Sequence, residues 1–148
     1  MSKVNIINDY GKNIIYNEKN ICNIIDQIFS DQDSSFDEIS IILSNKKLLN
    51  KLKEKYFKLD QYTDVIVFNL EDMNCLIDGE IYISIDDVQE NATEYNQIFD
   101  NEFKRVLSHG VLHLLGFEDN SVNKKNIMKK LENKYIKENK DNIIRIEK

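Results

Sequence analysis

Apolar residues recur along this chain with two different spacings, which predict helices and strands. In residues 17–29 they stand three and four apart, as in an amphipathic helix: Ile21, Ile24, Ile25 and Ile28. Short segments rich in β-branched residues predict strands at 4–7, 38–43, 64–69 and 79–85. Helices are also predicted at 45–57, 86–95, 100–115 and 123–138, and in the last of these Ile127, Leu131 and Tyr135 should face inward.

These elements predict one small domain. The chain of 148 residues has no internal repeat and no obvious linker, so residues 1–148 are expected to fold together. Because strands and helices intermix, the expected architecture is a sheet of about four strands covered by helices.

Composition places the chain among ordinary globular proteins. It is 41% apolar and 31% charged, with no apolar run of membrane-spanning length and no secretory signal at its start. A cytoplasmic protein is therefore expected. Cys22 and Cys75 are too few and too far apart for a disulfide framework, and we interpret both as ordinary thiols.

Charge is unevenly distributed along the chain. The net charge of −6 argues mildly against a nucleic-acid partner. Residues 71–102, however, hold ten acids and no bases, whereas residues 122–148 hold nine Lys or Arg against four acids. The basic tail is either a solvated helix face or a stripe that binds phosphates.

The only two histidines stand four residues apart in Ser108-His-Gly-Val-Leu-His-Leu-Leu-Gly-Phe-Glu-Asp119. On a helix this spacing puts His109 and His113 on one face, where both imidazoles can reach a single ion. Gly116 can take the left-handed conformation that ends a helix and turns the chain back. A carboxylate beyond that turn, on Glu118 or Asp119, would complete a three-ligand zinc site with one open position.

Two other interpretations of the histidine pair are possible. The histidines could be ordinary core or surface residues, but the apolar helix, the glycine and the following carboxylates favour a metal. A zinc peptidase with an H-E-x-x-H motif needs Glu directly after the first histidine. Gly110 occupies that position, which counts against a peptidase.

This stretch resembles the signature of the YbeY family of metal-dependent endoribonucleases, H-G-x-L-H-L-x-G-x-D-H. His109, Gly110, Leu112, His113, Leu114 and Gly116 match it place for place. Residues 62–68, Tyr-Thr-Asp-Val-Ile-Val-Phe, resemble the family's P-T-D-V-L-S-F, and residues 79–84, Gly-Glu-Ile-Tyr-Ile-Ser, resemble G-D-I-x-I-S. The resemblance extends over about residues 38–119.

The chain departs from the family pattern at two positions. Asp119 stands where the family has its third His, which makes Asp119 rather than Glu118 the expected third ligand. Zinc accepts carboxylate oxygen, and a short side chain has fewer rotamers to freeze. Phe57 stands where the family commonly has an Arg suited to phosphate, so that role would pass to another cation such as Lys55, Lys58 or Arg105.

Pattern and resemblance together imply a single α+β domain with the metal site at the end of a central helix. The resemblance implies a single-strand-specific endoribonuclease in ribosomal RNA maturation and ribosome quality control. One Zn²⁺ per chain, on His109, His113 and Asp119, would activate a bound water or a ribose 2′-hydroxyl. Glu118 either shuttles a proton or is an exposed loop acid. Thr63 and Asp64 either orient the site or form the turn that begins a strand.

Two other functions remain open. Phe57 and the acidic surface favour a metal-stabilised ribosome-binding factor with weak or no nuclease activity. A hydrolase of small phosphorylated or amide substrates would need a deep, narrow pocket instead of a groove. The expected partners are ribosomal RNA and the ribosome, with no membrane and no DNA, and the sequence does not indicate the oligomeric state.

Overall fold

The computed structural model describes residues 2–11, 13–57, 63–70 and 77–147. Lys58, Tyr62 and Cys75, named above, lie outside these residues. The strands are β1 (Lys3–Asn8), β2 (Ile14–Tyr16), β3 (Phe36–Ser44), β4 (Val65–Asn69), β5 (Ile77–Ser84) and β6 (Ile144–Ile146). The helices are α1 (Glu18–Asp31), α2 (Lys46–Phe57), α3 (Ile85–Glu94), α4 (Phe99–Leu114) and α5 (Val122–Glu138).

The main sheet has four strands in the order β1-β3-β5-β4. Strands β1, β3 and β5 are parallel, and β4 pairs antiparallel with β5. The predicted α+β domain with a four-stranded sheet is thus confirmed, and the strand predicted at 4–7 lies at one edge of the sheet. A second sheet, the antiparallel pair of β2 and β6, was not predicted, because its strands have only three residues each.

Polar side chains set the starts of the helices. The Asn17 side chain accepts a hydrogen bond from the backbone N–H of Asn20 at 2.9 Å, and Asn45 accepts one from Leu48 at 2.9 Å. Ser84 caps α3 in the same way, through the N–H of Asp87 at 3.2 Å. The strand predicted at 79–85 therefore ends one residue early, and Ile85 begins the helix.

Helix α4 occupies the centre of the fold and contacts α1, α3, α5 and strands of both sheets. Its apolar residues are buried, among them Phe103, Leu107 and Val111. At Gly110 the helix approaches the sheet so closely that an added Cβ would lie 2.9 Å from Cγ2 of Ile81. Any side chain at this position would force Ile81 to shift, so the close approach to the sheet favours glycine over the Glu of an H-E-x-x-H motif.

The predicted inward face of α5 is confirmed at Tyr135, which is buried, and at Leu131, which packs half-buried against the core, but it is wrong at Ile127. Ile127 was expected to face inward but is 51% exposed, whereas Met128, Glu132 and Tyr135 are buried. The apolar spacing favoured Ile127, but the contact of α5 with α4 turns a glutamate inward instead. Among the described residues, no helix is both long and apolar enough to cross a membrane.

Candidate metal centre

His109 and His113 lie in the last two turns of α4 and face the same side. Their ring centroids are 6.3 Å apart and their planes differ by 9°, as expected for residues four apart on a helix. His109 is half-buried and His113 is exposed. The predicted pairing of the two imidazoles on one helix face is confirmed.

The chain turns back directly after the second histidine. Gly116 has φ +102°, the left-handed conformation that favours glycine. Its N–H donates to the carbonyl of His113 at 3.0 Å, and the N–H of Phe117 donates to that of Leu112 at 3.0 Å, which together form a Schellman motif. This turn brings Oδ2 of Asp119 to 3.6 Å from Nε2 of His109.

Each histidine has one ring nitrogen engaged by a hydrogen-bond acceptor. Nδ1 of His109 lies 2.7 Å from Oε2 of Glu132, and Nδ1 of His113 lies 3.1 Å from the carbonyl oxygen of Phe117. These partners accept hydrogen bonds, so they favour a proton on Nδ1 and a lone pair on Nε2. In metal-binding histidines one ring nitrogen binds the ion and the other donates its N–H to such an acceptor.

The donor set fits a divalent ion. Two imidazole Nε2 atoms and one carboxylate are the ligand types of a catalytic zinc site. The three side chains are not gathered around one point, since the described residues hold no converged group of three His, Cys, Asp or Glu side chains. Zinc binding by His109, His113 and Asp119 therefore stays a prediction.

The surrounding carboxylates favour positive charge at this site. Burial alone would lower the pKa of His109, but the hydrogen bond and charge of Glu132, with the charges of Asp119 and Asp64, raise it above its usual value. The same negative groups would favour any cation placed beside His109.

Thr63 and Asp64 lie directly before β4 and line a cleft that His109, His113 and Asp119 also line. The Asp64 carboxylate accepts a hydrogen bond from Nδ2 of Asn91 at 3.1 Å, and the Thr63 hydroxyl donates to the carbonyl of Val65 at 3.2 Å. Burial raises the pKa of Asp64, although the nearby His109 opposes this shift. Both predicted residues are therefore brought to the same cleft as the histidines.

Glu118 lies outside this arrangement. Its exposed carboxylate accepts a hydrogen bond from Nζ of Lys124 at 2.9 Å, and this ion pair lowers its pKa. Glu118 is not among the described residues that line the cleft. Its role as a proton shuttle stays a prediction, with the Lys124 pair favouring the alternative of a loop acid.

Glu132 is the site residue that sequence reasoning missed. One oxygen contacts His109, and the other accepts a hydrogen bond from Nη1 of Arg105 at 3.2 Å. Arg105 also donates to Oδ1 of Asn133 at 2.7 Å. Glu132 is the only acid among residues 122–137, but nothing in the apolar spacing indicated that it faces His109.

The site opens into two adjoining cavities. One has a volume of about 520 Å³ and reaches Lys53 and Phe57 of α2. The other, of about 580 Å³, reaches Lys125 and Lys129 of α5. They share six lining residues: Tyr95, Glu102, Arg105, His109, Asp119 and Glu132. Of the cations suggested to replace the family's Arg, Arg105 lines both cavities, and Lys55 lines neither.

The chain is similar to known proteins in both sequence and fold. A family model described as Endoribonuclease YbeY matches residues 5–140. A protein named Endoribonuclease YbeY from Christiangramia forsetii is 35% identical over 132 residues, covering 88% of this chain and 92% of the relative. Another of that name, from Chloroherpeton thalassium, is 40% identical over 119 residues, covering 80% and 84%. A solution structure from Thermotoga maritima has a TM-score of 0.61 at 27% identity and covers 91% of this chain and 87% of its own.

Proposed function

The chain belongs to the YbeY endoribonuclease family, and from this premise we propose that it is a zinc-dependent endoribonuclease acting on single-stranded RNA. Its expected substrates are ribosomal RNA precursors, in rRNA maturation and ribosome quality control. One observation carries the proposal: two histidines on one helix face have their Nδ1 atoms engaged, and Nε2 of His109 lies 3.6 Å from the Asp119 carboxylate in a cleft that both histidines line.

His109, His113 and Asp119 are the residues that would hold the ion, one per chain. Zinc acts as a Lewis acid, which makes water more acidic and polarises phosphate oxygens. Glu132 orients His109 and keeps the proton on Nδ1, so that Nε2 stays available on the side of Asp119.

Asp64 is the best-placed further group for chemistry. Its burial makes the carboxylate hold a proton more readily than an exposed Asp, and Asn91 fixes its orientation. We assign it the role of orienting a water or a ribose hydroxyl by a hydrogen bond. Thr63 supports this role by fixing the backbone at the start of β4.

Two lysines of the basic tail support the alternative that the tail binds phosphates. Lys125 and Lys129 are one helical turn apart and both line the second cavity. Lys124, by contrast, pairs with Glu118. Because RNA binding releases counterions from phosphates, neutralising Lys125 and Lys129 should weaken binding and reduce its salt dependence.

Cleavage of a single-stranded RNA by metal-free and zinc-restored protein tests the proposal. Cleavage should disappear after chelation, return with zinc, and be absent on a fully double-stranded RNA of the same sequence. Glu118→Ala serves as the matched control for metal binding, since its metal content should remain. Cleavage that continues without any metal would contradict the proposed chemistry.

A second candidate is a metal-stabilised ribosome-binding factor with weak nuclease activity. It is favoured by Phe57, a neutral residue lining the cleft where the family commonly has an Arg. Metal-dependent binding to ribosomes without RNA cleavage would select this candidate. The two adjoining cavities suit an extended strand better than a small molecule, which disfavours a small-substrate hydrolase.

A further inference from the structure

Four aromatic rings form a cluster beside the cleft, at the end of α2 and on strands β4 and β5: Tyr56, Phe57, Phe68 and Tyr82. Phe68 is its centre. Its ring stacks on Phe57 with centroids 6.0 Å apart and planes 24° apart, and meets Tyr56 and Tyr82 edge-on at 5.2 Å and 5.7 Å. These contacts hold the outer rings in defined orientations before any ligand arrives.

The outer rings of this aromatic cluster are exposed. Tyr56 is 56% exposed and Phe57 is 44% exposed, and Phe57 also lines the cleft that contains His109 and His113. A packed core would have covered these rings. An oriented aromatic surface left open beside a candidate active site is typical of a binding surface.

Two lysines accompany the rings. Nζ of Lys53 lies 5.1 Å from the centroid of Phe57, and Nζ of Lys55 lies 5.2 Å from that of Tyr56. Within the described part of the chain neither lysine forms an ion pair, whereas Lys46 of the same helix pairs with Asp87 and Glu90. The surface therefore offers flat rings beside two lysines that no acid of the described ranges pairs with.

We propose that the aromatic cluster is a subsite for one nucleotide of the RNA strand, with its base stacked on Phe57 and its phosphate on Lys53. Flat rings and lysines are the two features that bind single-stranded nucleic acid without sequence preference. The proposal rests on the proposed function, because it places an RNA strand in the cleft. The proposal assigns a binding role to Phe57, the residue that stands in place of the family's Arg.

Tryptophan fluorescence can test this contact directly, because the chain contains no Trp. Phe57→Trp places one indole in the proposed subsite, and a short 2′-O-methyl oligouridine, which resists cleavage, is titrated into it. Stacking of a base on the indole should quench its emission. Ile127→Trp, on an exposed position of α5 outside both cavities, is the matched control and should not be quenched.

A double-mutant cycle between Phe57 and one base of the oligonucleotide then shows which base stacks on the ring. Phe57→Leu should weaken oligonucleotide binding by about fivefold or more, the range for one base stacked on an aromatic ring. Removing the base at one position of the oligonucleotide should weaken its binding to the wild type by the same factor. The same removal should not weaken its binding to Phe57→Leu any further. The logarithm of the binding constant falls linearly with the logarithm of salt concentration, and Lys53→Gln should reduce this slope by about one, as expected for the loss of one phosphate contact.

The outcomes separate this subsite from the function on which it rests. If the wild type binds and cleaves RNA, but Phe57→Leu binds equally well and Phe57→Trp is not quenched, the subsite is overturned and the endoribonuclease remains. The rings would then be free for a protein partner. If the wild type neither binds nor cleaves RNA, both proposals fail.

Discussion

Helix α4 carries two ionic networks that use similar residues for different purposes. The closed network joins Asp100 and Lys104, which are 6% and 1% exposed. Asp100 Oδ1 accepts the N–H groups of Ile143 and Ile144 at 2.6 Å and 3.1 Å, and its Oδ2 lies 2.8 Å from Nζ of Lys104. Lys104 also donates to the carbonyl of Asn139 at 2.7 Å.

The open network begins one residue further along the same helix. Arg105 and His109 both contact Glu132 of α5, but Nε2 of His109 and the Asp119 carboxylate face the cleft. In the closed network the polar atoms form hydrogen bonds with neighbours within the protein, and these bonds join β6 to α4. The open network keeps donor atoms for a ligand, and this difference distinguishes a structural network from a candidate site.

The largest effect is expected from breaking the closed network. Asp100→Ala would leave Lys104 as a buried charge without its acid and deprive two backbone N–H groups of their acceptor. Removing one partner of a buried pair costs about 3–5 kcal/mol, so the free energy of unfolding, measured in urea, should fall by that amount. Zinc content should be unchanged wherever the variant is folded.

Lys134→Gln is the matched control for this substitution. Lys134 pairs with Asp31 at the surface, at 3.0 Å, and its removal should barely change the unfolding curve. If Asp100→Ala proved as mild as this control, the closed network would have no special structural role.

The next largest effect concerns the third ligand in the open network. Asp119→Ala should lower zinc affinity by more than about a hundredfold, because even hydrogen-bond partners of ligands are worth 10–100-fold. Competition with a chromophoric chelator measures this. Glu118→Ala should leave affinity intact. The opposite result, with Glu118→Ala emptying the site and Asp119→Ala sparing it, would show that the ligand assignment is wrong.

Local geometry explains which parts of the site could be predicted from the sequence. The i, i+4 spacing of His109 and His113 and the glycine at 116 depend on one helix and its end, so their placement followed from a few adjacent residues. The helix predicted at 45–57 and the strand predicted at 4–7 were predictable for the same reason, since each depends on a short run of adjacent residues.

Long-range packing explains what could not be predicted. The inward turn of Glu132 depends on how α5 rotates against α4, and the apolar spacing pointed to Ile127 instead. Strands β2 and β6 lie far apart in the chain and pair over three residues each, too few for a pattern. The clasp of Asp100 on Ile143 and Ile144 likewise joins residues 43 and 44 positions apart.

A third prediction tests whether Glu132 belongs to the site. Glu132→Gln keeps the size of the side chain but removes the charge that holds His109. Zinc affinity should fall by about 10–100-fold, as for other partners of metal-binding histidines. Asn133→Ala, which removes only the second contact of Arg105, is the control and should keep its affinity. Equal affinities for Glu132→Gln and the wild type would reduce Glu132 to a packing residue.

The smallest effect is expected at Glu102, a buried acid that lines both cavities of the open network. Its nearest cation, Nε of Arg105, is 4.0 Å away, and burial raises the pKa of Glu102 above its usual value. An acid whose pKa is raised by folding binds protons more readily in the folded state than in the unfolded state. Its contribution to stability is therefore fully present below its ordinary pKa and is lost as the pH increases through the raised pKa. Glu102→Gln should lack this part of the pH dependence and be slightly more stable than the wild type at neutral pH. Urea unfolding of metal-free protein from pH 4 to 8 measures this, with Glu94→Gln, an exposed acid of α3, as the control. Parallel curves for Glu102→Gln and the wild type would mean that the surroundings of Glu102 fully compensate its buried charge.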